Sequence, residues 1–92
     1  MLPLFLVLAA PVSVQPIDAE RFRVTVLVDG DFRAQVEAQL QLAAEAKRQC
    51  RDRGKPVSGG TLEVNAPPKT DAAARRKGHF FLSEEWRCVP TR

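Results

Sequence analysis

Two cysteines, one histidine and two adjacent glutamates are the residues here with the widest chemical range: Cys50, Cys88, His79, Glu84 and Glu85. Cys50 and Cys88 are too far apart for a redox C-x-x-C pair, and with a single histidine they are too few for a closed zinc site. His79 opens an aromatic run and reads as the first residue of a strand rather than as a general base. None of Ser13, Ser58 and Ser83 lies in a nucleophile elbow. The stretch GKPVSGGT lacks the Lys-Ser/Thr that follows the last glycine of a phosphate loop. Glu84 and Glu85 are strand neighbours, so they point to opposite faces and do not form a catalytic carboxylate pair. The sequence therefore predicts no enzyme, no cofactor and no metal. An enzyme reading would have to centre on Glu84 and His79.

The remaining chemistry is basic. Lys69, Arg75, Arg76 and Lys77 lie on the longest polar connection, KTDAAARRKG, and are the candidate binding residues. A second basic cluster, Lys47, Arg48, Arg51, Arg53 and Lys55, has only Asp52 against it. The net charge is +3. A modest positive patch attracts nucleic acid, lipopolysaccharide, anionic lipid or an acidic protein without choosing among them. Single-strand binding also needs exposed aromatics among the bases. Phe81 alone has the outward register for that, so no specific nucleic-acid partner is expected. An envelope protein or an anionic surface is the expected partner.

These residues must be positioned by a few elements. Asp31 to Gly54 reads as one helix, with Phe32, Val36, Leu40, Ala43, Ala46 and Cys50 spaced by three and four along one face. Asp31 suits the N-cap, Gly54 suits a left-handed stop, and Pro56 prevents continuation. The bases of the last turns complement the carbonyl end. Arg21 to Val28 alternates as a half-buried strand, with Phe22, Val24, Val26 and Val28 inward. KPVSGG at 55–60 reads as a turn-rich loop, Thr61 to Ala66 as a second strand, and 69–78 as a connection with one helical turn. His79 to Val89 reads as a third strand with Phe80, Leu82, Trp86 and Cys88 on one face. Glu84 breaks that set and predicts a bulge at Glu84-Glu85 or an edge position.

The order strand, helix, strand, strand predicts an α+β domain. Its sheet is three-stranded and mixed, with the second strand parallel to the first through a right-handed crossover and the third returning antiparallel. One long helix covers one face. This arrangement brings Cys50 and Cys88 to the same end and predicts a Cys50–Cys88 disulfide. The expected core is Phe22, Val24, Val26, Phe32, Val36, Leu40, Leu62, Val64, Leu82 and Trp86. Leu27 and Phe81 are left on the uncovered face, which hints at a fourth short strand or a partner.

Residues 1–14, MLPLFLVLAAPVSV, carry no charged side chain and are too short to span a bilayer as a helix. They resemble the apolar core and exit of a secretory signal peptide, without basic residues before it or a clean small-x-small site after it. Residues 15–20 read as a linker and 21–92 as the domain. A leader followed by two cysteines predicts a periplasmic or secreted protein.

Ala46-x-x-x-Cys50-x-x-x-Gly54-Lys55, followed by an aromatic strand ending Trp86-Arg87-Cys88, resembles a loose group of small exported bacterial proteins, over roughly residues 43–88. The resemblance implies a cell-envelope location and a disulfide rather than an activity. The 67–78 segment departs from the shortest members of that group. The functional expectation is a small exported, non-catalytic interaction or structural protein. The alternative is a small secreted inhibitor or ligand-binding module using the basic 69–78 loop.

Overall fold

The computed structural model describes residues 12–76 and 78–90. The strands are β1 (Val12–Pro16), β2 (Arg21–Asp29), β3 (Lys55–Val64) and β4 (His79–Val89). The helices are α1 (Phe32–Cys50), a 3-10 turn (Arg51–Arg53) and α2 (Ala72–Arg76). The four strands form one sheet in the order β1-β2-β4-β3, and every neighbouring pair is antiparallel. α1 packs on one face. The domain is α+β as expected, but the sheet is neither three-stranded nor mixed.

The difference has a simple cause. β2 and β3 do point the same way, as the crossover through α1 requires, but they are not neighbours. The crossover leaves one strand position open, and β4 fills it. β4 pairs with β2 from Arg21↔Arg87 to Asp29↔His79, and on its other side with β3 from Lys55↔Val89 to Val64↔Phe81. β4 thereby becomes an inner strand, with ladder hydrogen bonds on both edges. Glu84 is accordingly not at an edge.

β3 begins at Lys55, within the stretch expected to be a loop. As an edge strand it tolerates Pro56, whose missing N–H costs no ladder bond on the solvent side. The register shifts between Ser58 and Gly60, so the bulge lies opposite Trp86 and Glu85 rather than at Glu84-Glu85. β1 is the fourth strand. Val12 and Val14 pair with Val26 and Val24 and take the helix-covered face. Asp18 closes the hairpin to β2, its Oδ1 accepting from the backbone N–H groups of Glu20 at 2.9 Å and Arg21 at 2.8 Å. Most of the expected signal peptide lies outside the described residues. Residues 15 and 16, expected as linker, belong to β1.

α1 starts as its sequence predicts, with Asp31 Oδ1 accepting from the N–H groups of Arg33 and Ala34. Its α-helical part ends at Cys50, and a 3-10 turn carries it on to Arg53, so that Gly54 follows its last turn as expected. Arg51 has a positive φ of 44°, and its N–H returns to the carbonyl of Lys47. The basic residues serve the carbonyl end directly: Arg51 Nε donates to the Arg48 carbonyl at 3.2 Å, and Arg53 donates to that of Gln49 at 2.9 Å. Gly54, with φ 122°, lies so close to the Val89 carbonyl that a Cβ would collide with it.

The core joins Phe22, Val24, Val26, Val28, Phe80, Leu82, Trp86 and Cys88 of the sheet to Ala38, Leu42, Ala46 and Cys50 of the helix. Phe32, Val36, Leu40 and Ala43 are therefore misassigned by the sequence reading: all four are exposed. The buried stripe runs back from Cys50 in steps of four. Its alanines let the helix approach the sheet closely, and the disulfide fixes which side of the helix faces in. Leu62 and Val64 also leave the expected core. Their partners Ser83 and Phe81 place them on the uncovered face, while Thr61 and Glu63 take the helix side.

Candidate functional site

Cys50, at the end of α1, and Cys88, at the end of β4, form a disulfide with Cα atoms 5.5 Å apart. Cys50 is wholly buried and Cys88 nearly so. The Cys88 N–H also donates to the Glu20 carbonyl in the β1–β2 turn, at 3.3 Å. Helix end, central strand and first hairpin thus meet at one corner.

The candidate catalytic pair is not assembled. His79 Nε2 lies 3.3 Å from Asp29 Oδ1 on the uncovered face at the upper end of β4, and both side chains are largely exposed. Glu84 is half-buried on the helix face and accepts a short hydrogen bond from the Ser58 hydroxyl. They are five positions apart along β4, roughly 16 Å, and the sheet lies between. Glu85, on the uncovered face, is held by Arg21 at 3.0 Å. No group of three or more potential metal ligands gathers among the described residues. No described helix is long and apolar enough to cross a membrane.

The basic residues of the 69–78 connection divide by role. Asp71 starts α2, its Oδ1 accepting from the Ala74 N–H at 2.9 Å. Arg75 turns inward. Its guanidinium meets Glu63 at 3.1 Å, donates to the Pro67 carbonyl at 3.2 Å, and sits over the Phe80 ring 5.2 Å from its centroid. With only 17% of its side chain exposed, Arg75 anchors α2 to the sheet, and its charge is spent internally. Lys69 and Arg76 are exposed. Together with Ala72 and Arg75 they form one wall of a shallow cleft of about 280 Å³, whose other wall is Phe32 and Gln35 of α1. Lys77 lies outside the described residues.

Sequence reasoning missed Phe32 as a surface residue because it was counted into the core. A signal was present: counting back from Cys50 by four gives Ala46, Leu42, Ala38 and Ala34, a complete apolar row that leaves Phe32, Val36 and Leu40 as a second one.

Asp18 has the clearest electrostatic perturbation. The N–H of Glu20, then the Arg21 side chain, then the N–H of Arg21 stabilise its anion and hold its carboxyl below the ordinary value. Its hydrogen bonds all lie within the β1–β2 turn, so the shift marks a structural device. The chain matches no protein-family model, no curated protein and no solved structure.

Proposed function

We propose that the protein is a small exported, non-catalytic interaction protein of the periplasm or the secreted fraction. The Cys50–Cys88 disulfide is the observation that carries this reading. It joins buried sulfurs at the meeting point of helix and central strand. Cross-links of that kind persist in oxidising compartments and compensate for a core too small to stabilise a fold by itself. The apolar, leader-like run at 1–11, before β1, agrees with export. The separation of His79 from Glu84 favours a binding role over a catalytic one.

The interaction surface is centred on the α2 connection, where Lys69 and Arg76 are exposed and Arg75 holds the backbone in place. This rigid basic projection also fits the second reading, a small secreted inhibitor or ligand-binding module. The shallow cleft beside Phe32 favours surface contact over enclosure of a small ligand.

The test is an intact mass of the protein from the envelope and secreted fractions of an expressing bacterial cell, alkylated with and without prior reduction. The expected result is a chain shortened at its N-terminus that takes up alkylating reagent only after reduction. A full-length chain with two freely alkylated thiols would refute export and disulfide together.

A further inference from the structure

The outer side of α1 carries an apolar row that no described residue covers. Phe32, Val36 and Leu40 follow one another at intervals of four; Phe32 is 77% exposed and Leu40 65%. At roughly 100° per residue they sit about 120° around the helix from Ala38, Leu42 and Ala46, on the side toward α2 and β3. Exposed Ala43 continues the row.

The charges that directly border this row are mostly positive. Arg33 and Lys47 border it on α1, and Lys69 and Arg76 face it across the cleft. All four are exposed, and none takes part in an ion pair among the described residues. Three of the nearby acids are engaged locally. Asp31 and Asp71 accept N–H groups at the starts of α1 and α2, and Glu63 is held by Arg75. Glu37 lies beyond the far border of the row.

A second copy docking here would set cations against cations, which disfavours self-association. A convex helix side with a protruding phenylalanine and leucine and a basic rim instead has the chemistry of interfacial insertion. We propose that this face docks on an anionic phospholipid surface. Phe32, Val36 and Leu40 enter the boundary between headgroups and acyl chains, while Arg33, Lys47, Lys69 and Arg76 meet headgroup phosphates. This rests on the reading of the protein as an interaction protein and supplies the chemistry of its partner.

The experiment is co-sedimentation of the purified, disulfide-bonded full chain with two kinds of vesicle. One is phosphatidylcholine alone, and the other contains about one-third phosphatidylglycerol. The apolar run at 1–11 is common to every protein compared, so the readout is the difference between wild type and variants. Wild type is expected to partition about tenfold or more in favour of the anionic vesicles, with the preference falling at high salt. Phe32→Ser with Leu40→Ser is expected to lower partitioning about tenfold or more. Lys69→Glu with Arg76→Glu is expected to lower it at least tenfold on anionic vesicles only. All four substituted positions face water, so circular dichroism of the variants should match wild type.

Equal partitioning of wild type and the Phe32→Ser/Leu40→Ser variant would overturn the proposal, as would equal binding to the two vesicle types. So would a dimer in light scattering that the serine variant abolishes, or capture by immobilised polyglutamate without vesicle binding. Failure here beside the expected intact mass leaves an exported protein with a proteinaceous partner. Vesicle binding by a chain recovered full-length and reduced would instead refute export and leave the lipid surface standing.

Discussion

Opening the Cys50–Cys88 bond should lower the stability of the fold by about 4 kcal/mol at 25 °C. The two residues are 38 positions apart. By the loop-entropy relation, cutting a link of that span returns roughly 13 cal/mol/K to the unfolded chain, or about 4 kcal/mol; residual structure in that chain lowers the figure toward 2. Reduction leaves both sulfurs in their buried positions, so the comparison isolates the link from the packing. A domain of this size has a net stability of roughly 5–10 kcal/mol, so the loss is a large fraction of the whole. With a urea slope of about 1 kcal/mol/M, the midpoint should fall by roughly 2–4 M. The assay is urea unfolding of the oxidised and the reduced protein, followed by the fluorescence of Trp86, the one tryptophan in the chain. A shift below about 0.5 M at unchanged slope would refute the reasoning. It would mean that the unfolded ensemble already keeps Cys50 and Cys88 near one another.

The two leucines of α1 make a sharper test of the helix face. Leu42→Ala should cost about 2–5 kcal/mol because Leu42 is fully buried, whereas Leu40→Ala should change the thermal or urea midpoint by no more than about 0.5 kcal/mol equivalent. Comparable losses would show that the helix is rotated from the orientation described. Arg75→Gln and Glu63→Gln, with their double variant, should give a coupling energy of about 0.5–1.5 kcal/mol in a thermodynamic cycle, since the pair is largely shielded by α2 and β3; additive single losses would remove Arg75 from its anchoring role. Asp18 has a folded value below its ordinary 3.8, so its contribution to the β1–β2 turn is complete above that pH and is lost as pH falls through the lower folded value. Carboxyl NMR should find its midpoint below 3.8, with the Glu20 and Arg21 amide resonances moving in step, and a midpoint at or above 3.8 would contradict the hydrogen bonds described.

Strong local signals were legible in the sequence. The alternation of Phe22, Val24, Val26 and Val28 fixed a strand and its inward face, Asp31 fixed the start of α1, and His79–Val89 was bounded to the residue. The Cys50–Cys88 pairing was also legible, because it depended only on which end of the sheet each strand reaches, and that survived the error in strand order. The order itself was not legible: no local pattern says whether a crossover lands next to its starting strand or one position away. The face of α1 was misread because two apolar rows compete on it, and bulk favoured Phe32 and Leu40 over the alanines that pack against the sheet. β3 was cut short because Pro56 and Gly59-Gly60 look like a turn, although an edge strand accepts both. β1 was hidden in an apolar run whose length drew attention from the alternation of Val12 and Val14. At the candidate site, the four bases looked equivalent in sequence. Only tertiary structure separates Arg75, held by Glu63 and Phe80, from exposed Lys69 and Arg76.

The central place of β4 has a consequence for the order of events in biosynthesis. β2 and β3 meet only through β4, which is made after both of them. While β4 is still within the ribosome or a translocation channel, the emerged chain is a hairpin and a helix with a solitary strand that has no neighbour to pair with. Cys50 is then a thiol without its partner, open to the wrong disulfide with another molecule. Docking of the late strand therefore completes two ladders, adds Phe80, Leu82 and Trp86 to the core beneath α1 and delivers Cys88 to Cys50 in one step. Oxidation of the native pair becomes a record that the strand has arrived. The chain spends its most vulnerable interval waiting for residues 79–89, and a pause or truncation there would leave an unpaired β2 edge exposed to its neighbours.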